Sequence, residues 1–258
     1  MSYPFRVVIP ARYQSTRLPG KPLIELAGKP MVQRVVEQAL QSSAMQTIVA
    51  TDDVRIEQCL KALNYDCILT STDHRSGSDR IEEVTQVLSL KPEDVVVNVQ
   101  GDEPLIPPRV IDQVASLLFE KEACAVATLY ESITDGGDFS NPNVVKVVVS
   151  EERDALYFSR APIPWDRDGF AETIPNHLAS SGKRHIGIYA YRVSALREFV
   201  KLPPSVLEKT ESLEQLRFLS NGYSIAIAEA EEKVPGGVDT PADATYVEEL
   251  LISKGKSK

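Results

Sequence analysis

A basic loop directly follows the first strand-like segment of this chain. The segment 6–10 is short, contains three consecutive β-branched residues and is followed by a turn signal, as expected for a buried strand. The loop after it carries Arg12, Arg17 and Lys21, and Gly20 lets the backbone pass close to a ligand. Open α/β sheets bind ligands where their strands end, and free backbone amides there attract anions. The loop is therefore predicted to hold a triphosphate, although it lacks the Walker A order. The alternative is a solvated basic turn.

Two aspartates follow turn signals at distant points of the chain. Asp102 comes after the apolar run 95–99 and Gly101, and Asp239 follows a glycine-containing segment near the C-terminus. Mg²⁺ binds one or two carboxylates, several waters and the phosphate oxygens of a substrate. The two aspartates are therefore predicted to meet and hold a Mg²⁺ that neutralises phosphate charge. The alternatives are a turn residue at Asp102 and a helix cap at Asp239.

The elements that would position these groups alternate in type along the first half of the chain. Strand-like and helix-like runs follow one another at residues 6–10, 31–40, 47–51, 55–63, 67–69, 81–88 and 95–99. Such alternation predicts an α/β fold with a mostly parallel central sheet flanked by helices.

The second half is less regular. Helices are predicted at 110–118, 194–200 and 207–219, strands at 144–149, 155–158, 184–191 and 224–228, and a last helix from Pro241. Residues 166–183 are polar and rich in turn formers, which predicts a long surface loop. We expect one domain over residues 1–252 and a loose tail at 253–258.

Composition limits the classes of function. With 43% hydrophobic residues the chain has material for a sizeable core, and its net charge of −9 argues against nucleic-acid or membrane-surface binding. Three widely spaced cysteines fit a reducing compartment, and no signal peptide or membrane-spanning run is recognised, so a cytoplasmic location is expected. His74, His177 and His185 lack the spacing of a zinc site.

Several longer motifs make the chain resemble the CMP-KDO synthetases, or 3-deoxy-manno-octulosonate (KDO) cytidylyltransferases. The resemblance runs over residues 6–241, with matching segments at 9–23, 97–104, 157–168, 184–189, 213–217 and 238–241. The first and last segments also occur in neighbouring sugar nucleotidyltransferases. Segment 157–168 together with 184–189 is the specific part of the match.

The resemblance implies a fold, a reaction and a biological setting. The fold would be a Rossmann-like nucleotidyltransferase domain with a smaller dimerisation and sugar-binding insertion, roughly within residues 130–220. The reaction would join CTP and KDO to give CMP-KDO and pyrophosphate, with Mg²⁺ as cofactor. The enzyme would be a homodimer that serves lipopolysaccharide biosynthesis.

The same resemblance assigns roles to single residues. Arg12 and Lys21 match triphosphate contacts, and Asp102 and Asp239 match metal ligands, so these four form the predicted catalytic set. The residues predicted to bind the nucleotide are Arg12, Arg17, Lys21, Ser76 and Arg80. Those predicted to surround the acid sugar are Gln100, Arg160, His185, Tyr189, Glu214 and Gln215, with Arg160 as the candidate partner of the sugar carboxylate. Without the resemblance, each sugar-site residue would be interpreted as a core or surface residue.

Three alternatives stay open at this level. The acid sugar could be a relative of KDO, such as 8-amino-KDO or a nonulosonate. The chain could also be a non-catalytic nucleotide-binding protein on the same fold, although the presence of Lys21, Asp102 and Asp239 favours an enzyme. A glycosyltransferase is the third alternative, and such enzymes usually carry an Asp-x-Asp metal motif. Asp166 and Asp168 have that spacing, but they lie in the predicted polar loop.

Overall fold

The computed structural model describes residues 3–14, 18–74, 76–170 and 173–255. In chain order the strands are β1 (Phe5–Ala11), β2 (Glu25–Leu26), β3 (Lys29–Pro30), β4 (Gln46–Thr51), β5 (Cys67–Leu69), β6 (Val95–Asn98), β7 (Val126–Asp135), β8 (Lys146–Val149), β9 (Ala155–Ser159), β10 (His177–Arg192) and β11 (Ile225–Glu229). The helices are α1 (Met31–Ala39), α2 (Val54–Ala62), α3 (Gly77–Val87), α4 (Pro108–Glu120), α5 (Gly136–Ser140), α6 (Val193–Phe199), α7 (Val206–Glu211), α8 (Leu216–Ser220) and α9 (Pro241–Gly255).

The central sheet has the strand order β11-β7-β10-β6-β1-β4-β5. Strands β6, β1, β4 and β5 pair in parallel, as do β11 and β7, whereas β10 runs antiparallel to both of its neighbours. β8 and β9 form an antiparallel extension on β10, and β2 and β3 form a small separate hairpin. The prediction of a mostly parallel sheet flanked by helices is confirmed.

Helices cover both faces of this sheet. Successive residues of β1 point to opposite faces, so Ile9 packs in a cluster with Val35 and Val114, whereas Val8 joins a second cluster with Ile81. All of these side chains are buried. Each contributes roughly 1.5–3 kcal/mol through removal from water, and burial on both faces explains why these strands consist of apolar residues without alternation.

The surface loop predicted at 166–183 extends too far, because the last part of this range belongs to a strand. β10 begins at His177, because residues 177–192 form a ladder with β7 in which Gly182 lies opposite Ile133. Leu178 is buried in a small cluster with Phe139 and Phe170. These apolar residues are far apart in sequence, so no local pattern indicated the first part of the strand.

The predicted helix at 207–219 is also wrong in one respect, because it is broken into α7 and α8. Ser212 takes a left-handed conformation with φ of 52° at the end of α7. The break turns Glu208 towards Arg217, and the two form an ion pair at 2.5 Å. Leu213 and Leu216 can then pack into the core while α7 stays on the surface.

The last helix is longer than expected. α9 continues to Gly255 and so includes 253–255, which the sequence placed in the loose tail. Residues 256–258 lie outside the described residues. No helix in the described ranges combines the length and hydropathy that a bilayer crossing requires.

Close backbone approaches join three segments at one edge of the sheet. β1 and β6 are parallel neighbours, so the loops after them begin side by side. A Cβ at Gly101 would lie 2.6 Å from the carbonyl oxygen of Pro10, so only glycine fits between these loops. From the far end of the chain, the Val238 N–H donates to the Asp102 carbonyl at 2.8 Å.

Candidate active site

Lys21 bridges the two aspartates that the sequence singled out. Its Nζ lies 2.6 Å from Asp102 Oδ2 and 2.9 Å from Asp239 Oδ1. The lysine sits in a 3₁₀ turn after the basic loop, Asp102 follows β6, and Asp239 precedes α9. The predicted convergence of chain segments 81 and 218 positions apart is therefore present.

The charge of Lys21 is held in place by this pair. Burial by itself lowers the pKa of the ammonium, but the Asp102 and Asp239 carboxylates more than offset that effect and raise the pKa above its ordinary value of 10.5. The lysine thus remains fully charged at neutral pH. A group of phosphates that entered this cleft would therefore meet a positive charge.

Arg12 lines the same cavity, which has a volume of about 460 Å³. Its Nη2 donates to the carbonyl oxygen of His74 at 3.1 Å, which ties the loop after β1 to the loop before α3. The cavity is also lined by residues that were not among the predicted site residues, including Gln14, Pro22, Met31 and Gly77. Gly77 is the first residue of α3, so the amino end of that helix faces the cavity.

Four of the predicted sugar-site residues meet in a second, smaller cavity of about 170 Å³. They are Gln100, Tyr189, Glu214 and Gln215. Gln100 lines both cavities, and its Nε2 donates to the Gly187 carbonyl at 3.3 Å. The smaller cavity is therefore next to the cleft that holds Lys21 and the two aspartates.

Glu214 brings a carboxylate into this small cavity. Ser78 donates a hydrogen bond to its Oε2 at 3.2 Å, and Arg217 Nη2 lies 4.0 Å from its Oε1. Burial raises the pKa of Glu214, although Ser76, Arg217 and Ser78 oppose the effect. The group is a strong hydrogen-bond acceptor in surroundings that leave it little water.

His185 does not line either cavity within the described part of the chain. Its ring packs against Phe158 and Tyr189 at centroid distances of 4.8 and 5.4 Å, and its Nε2 lies 3.0 Å from Thr128 Oγ1. Burial, reinforced by the Arg184 charge, lowers the pKa of His185 to about 3. The neutral ring supports Tyr189 from behind, and a direct contact with the sugar stays a prediction.

Arg160 is engaged with backbone carbonyls rather than with a cavity. It donates from Nε to the Glu211 carbonyl at 2.7 Å and from Nη1 to the Pro142 carbonyl at 2.9 Å. It holds the end of β9 against α7 and against the loop before β8. Its role as a partner of the sugar carboxylate stays a prediction.

The remaining nucleotide-site predictions have mixed outcomes. Ser76 caps α3, accepting from the Asp79 N–H at 3.2 Å while the Asp79 carboxylate accepts from the Ser76 N–H at 2.9 Å. Arg80 is fully buried and pairs with Asp52 at 2.7 Å, so it ties α3 to the loop after β4. Arg17 lies outside the described residues.

Sequence reasoning missed Glu103 and Asn98. Burial, with the neighbouring Asp102 charge, raises the pKa of Glu103 to about 8, so this acid is largely protonated at neutral pH. Asn98 lines the small cavity at the end of a strand of valines. A polar side chain inside so apolar a run is the signal that could have pointed to Asn98.

Cavity size alone does not identify the site. A cleft of about 480 Å³ between α4 and β11 is lined by Arg109, Asp112 and Glu231, among others, and a cleft of about 630 Å³ lies beside α7. The cleft around Lys21 differs because two carboxylates from distant segments converge on one half-buried cation at the carboxyl ends of parallel strands. That is the arrangement expected of a ligand site in an open α/β sheet.

Comparisons with known proteins all find cytidylyltransferases that are similar to this chain. A family model described as cytidylyltransferase matches residues 6–229. A 3-deoxy-manno-octulosonate cytidylyltransferase of Cellvibrio japonicus is 56% identical over 249 residues, covering 96% of this chain and 98% of the relative. One of Vibrio vulnificus is 53% identical over 252 residues, with 97% and 99% covered. A solved structure of CMP:2-keto-3-deoxy-manno-octonic acid synthetase complexed with CTP is 42% identical, with a TM-score of 0.86 over 97% of this chain and 99% of that one.

Proposed function

The chain belongs to the cytidylyltransferase family, and from that premise we propose that it joins CTP and KDO to form CMP-KDO and pyrophosphate. The observation that carries the proposal is the Lys21 ammonium held between Asp102 and Asp239. This cleft, lined also by Arg12, meets the smaller cavity at Gln100. A nucleotide triphosphate and a polyhydroxy acid would thus bind side by side.

The reaction is an in-line displacement at the α-phosphorus of CTP. The anomeric hydroxyl oxygen of the sugar forms a bond to that phosphorus and loses its proton, while the bond to the bridging oxygen of pyrophosphate breaks. Such a step depends mainly on positioning and on stabilising charge. Lys21 and Arg12 provide cations where negative charge builds up on the α-phosphate and the leaving group.

The two aspartates are suited to a magnesium ion. Both accept from one ammonium, so their oxygen atoms already surround a position for a cation. Two carboxylates, completed by waters and phosphate oxygens, match the ligands that Mg²⁺ takes in nucleotide sites. Asp102 and Asp239 would hold the ion, which when bound supplies positive charge to the phosphates and lowers the pKa of the attacking hydroxyl.

The small cavity is the proposed place of the sugar. Tyr189 offers an aromatic wall, and Gln100, Glu214 and Gln215 offer polar groups of both hydrogen-bonding types. We expect the sugar to span from this cavity to the cleft around Lys21, because its anomeric hydroxyl must reach the α-phosphate. Arg160 would have to leave its present carbonyl partners to bind the sugar carboxylate.

One assay tests the reaction and the choice of substrates. Pyrophosphate release is measured with purified protein, Mg²⁺, KDO and CTP, and again with ATP, GTP or UTP in place of CTP. We expect release with CTP alone among the four nucleotides, and its loss when Mg²⁺ is chelated. In parallel, 8-amino-KDO and a nonulosonate replace KDO. Faster turnover of either sugar would transfer the proposal to that substrate, and CTP binding without turnover of any sugar would contradict it.

The oligomeric state, the cellular location and the pathway of the enzyme are proposed from the family resemblance. We expect a homodimer that works in the cytoplasm for lipopolysaccharide synthesis. The exposed apolar side chains of Leu156 and Trp165, both 59% exposed, are candidates for the surface that a second copy covers. Light scattering of the purified protein would give twice the monomer mass of 28.5 kDa, and Leu156→Glu would reduce it towards the monomer.

A further inference from the structure

The guanidinium of Arg12 is oriented in the cleft by a backbone carbonyl. Its Nη2 donates to the carbonyl oxygen of His74 at 3.1 Å. His74 lies in the irregular segment between β5 and α3, so neither a strand ladder nor a helix fixes the place of this carbonyl. A carbonyl that orients a catalytic arginine must itself be held, and side chains of α3 hold this one.

Glu83 on α3 contacts the segment before the helix at two points. Its Oε2 accepts from the Ser71 N–H at 2.9 Å and from Nε2 of the His74 ring. Since a carboxylate only accepts, Nε2 of the ring carries the proton. The His74 and Glu83 side chains are 21% and 30% exposed, so water competes with these bonds only in part. Glu83 therefore ties both sides of the turn at residues 72–73 to α3.

The helix gives Glu83 a fixed base. Ile81 and Val84 lie on either side of it in sequence, and both are fully buried in the core. Arg80, one turn earlier, is also fully buried and donates to the hydroxyl oxygen of Thr70. The helix and the start of the preceding segment are thus anchored together, and the Glu83 carboxylate projects from a fixed place.

The Glu83 carboxyl is ionised in this setting. Burial by itself raises its pKa, but hydrogen bonds from the Ser71 N–H and His74, with the charges of His74 and Arg80, more than offset burial and lower the pKa below its ordinary value of 4.5. The residue is therefore a carboxylate at neutral pH. That is the form that accepts both hydrogen bonds, and bonds to a charged acceptor are the stronger kind.

We propose that Glu83 is a positioning residue for the triphosphate of CTP, and that it acts through the His74 carbonyl on Arg12. The inference rests on the proposed function. Without Glu83 the carbonyl is no longer held, and the ligand itself has to order Arg12 at the expense of affinity. Lys21 is held separately by Asp102 and Asp239. The expected loss is therefore that of one phosphate contact and not of the whole site.

A double-mutant cycle tests whether Glu83 acts through Arg12. Arg12→Ala, Glu83→Ala and the double variant are assayed for kcat/KM for CTP at saturating KDO. We expect a loss of about 100-fold for Arg12→Ala and about 10-fold for Glu83→Ala. The double variant should be no slower than Arg12→Ala, because the residue through which Glu83 acts is already gone. Losses that multiply in the double variant would overturn the proposal.

CTP binding provides a readout that does not require turnover. In calorimetric titrations without KDO, Glu83→Ala should raise the Kd for CTP by about 10-fold, while steady-state assays show an unchanged KM for KDO. Glu83→Gln keeps an oxygen for the Ser71 and His74 donors and should restore most of the affinity. Glu57→Ala is the control, since Glu57 pairs with Lys61 on α2. It should leave both measurements unchanged. A rise in the KM for KDO equal to the rise in the Kd for CTP would indicate a merely structural role.

The conservative variant decides the matter if Glu83→Ala does not fold. The same cycle is then run with Glu83→Gln, and multiplying losses again reject the inference while leaving the proposed reaction standing. A wild-type protein that releases no pyrophosphate from CTP and KDO would overturn both.

Discussion

The cleft around Lys21 and the cavity around Asn98 handle polar groups in opposite ways. In the cleft the charges are paired and open to water: the side chains of Asp102 and Asp239 are 34% and 46% exposed, and both contact Lys21. Around the cavity the polar groups are buried: one side-chain oxygen each of Asn98 and Glu214 is shielded from water and receives no hydrogen bond from a described residue. Phosphates and a metal ion can exchange partners with ready-made ion pairs, whereas the hydroxyl groups of the proposed acid sugar would be recognised by buried polar groups.

The difference shows how each region favours its ligand. Exposed ion pairs contribute little to stability, so their partners can be exchanged for a highly charged ligand at small cost. A buried acceptor gains more free energy from a hydrogen bond with a ligand than an exposed one does. The reason is that no water molecule satisfies the buried acceptor when the ligand is absent. We therefore expect substitutions in the cleft to affect catalysis most, and substitutions in the cavity to affect the choice of sugar.

The largest effect is expected for Asp102→Asn. Loss of one carboxylate of the proposed metal pair should lower kcat by about 1,000-fold, while the far-UV circular dichroism spectrum stays unchanged. Asp112→Asn is the matched control, since Asp112 bonds Ser43 on the surface. Pyrophosphate release at the normal rate would remove Asp102 from the catalytic set.

Lys21→Ala should come next. Without the ammonium, kcat/KM for CTP should fall by about 100-fold, with a raised KM and a lowered kcat. Lys29→Ala removes a lysine that pairs with Glu37 away from the cleft, and it should leave the kinetics unchanged. Steady-state kinetics at varied CTP distinguish the two variants. Identical CTP kinetics in Lys21→Ala and wild type would argue that the phosphates bind elsewhere.

The partly buried His185 should make stability depend on pH in a predictable direction. Its pKa is lowered from 6.5 to about 3 in the folded protein, so below pH 6.5 the unfolded chain binds a proton that the folded one does not. Stability is thus fully present above pH 6.5 and is lost as the pH falls. The contribution between pH 8 and pH 5 is about 2 kcal/mol of unfolding free energy. Urea unfolding of wild type and His185→Gln across this range measures it; parallel pH curves would contradict it.

Glu214→Gln should have the smallest effect, confined to the sugar. The amide keeps an acceptor but loses the charge, so the KM for KDO should rise by about 10-fold while the KM for CTP stays constant. Unfolding free energy should stay equal or increase, because a neutral amide is easier to bury than a carboxylate. Glu57→Gln, on the surface of α2, is the control. A rise in the KM for CTP would place Glu214 in the nucleotide site.

The sequence predicted the parallel half of the fold well because its signals are local. The valine-rich β6 and the helical spacing of Met31–Ala39 are each visible within a few residues. The start of β10 and the break at Ser212 could not be found in this way. The start of the strand is fixed by β7, which lies far along the chain, and the break at Ser212 accompanies a side-chain pairing of Glu208 with Arg217 that helical periodicity does not reveal.

The functional site shows the same division between features that local signals predicted and features that they did not. The turn signals before Asp102 and Asp239 suggested that both reach a ligand edge, and the structure joins them through Lys21. Family resemblance suggested the residues around the sugar, of which Tyr189 lines the small cavity but Arg160 does not within the described residues. Asn98 was overlooked because periodicity treats it as one more member of a buried strand.

The backbone bond from Val238 to Asp102 has a consequence for how the protein is made. Asp239 follows β11 and precedes α9, so the segment that brings it to the cleft is synthesised after the strands of the central sheet. Domains fold as units during synthesis, so the strands around β1 can assemble first, yet the nascent chain lacks one of the two carboxylates until residue 239 has been made. A ribosome-bound chain stopped before residue 239 would be folded in large part and chemically inert.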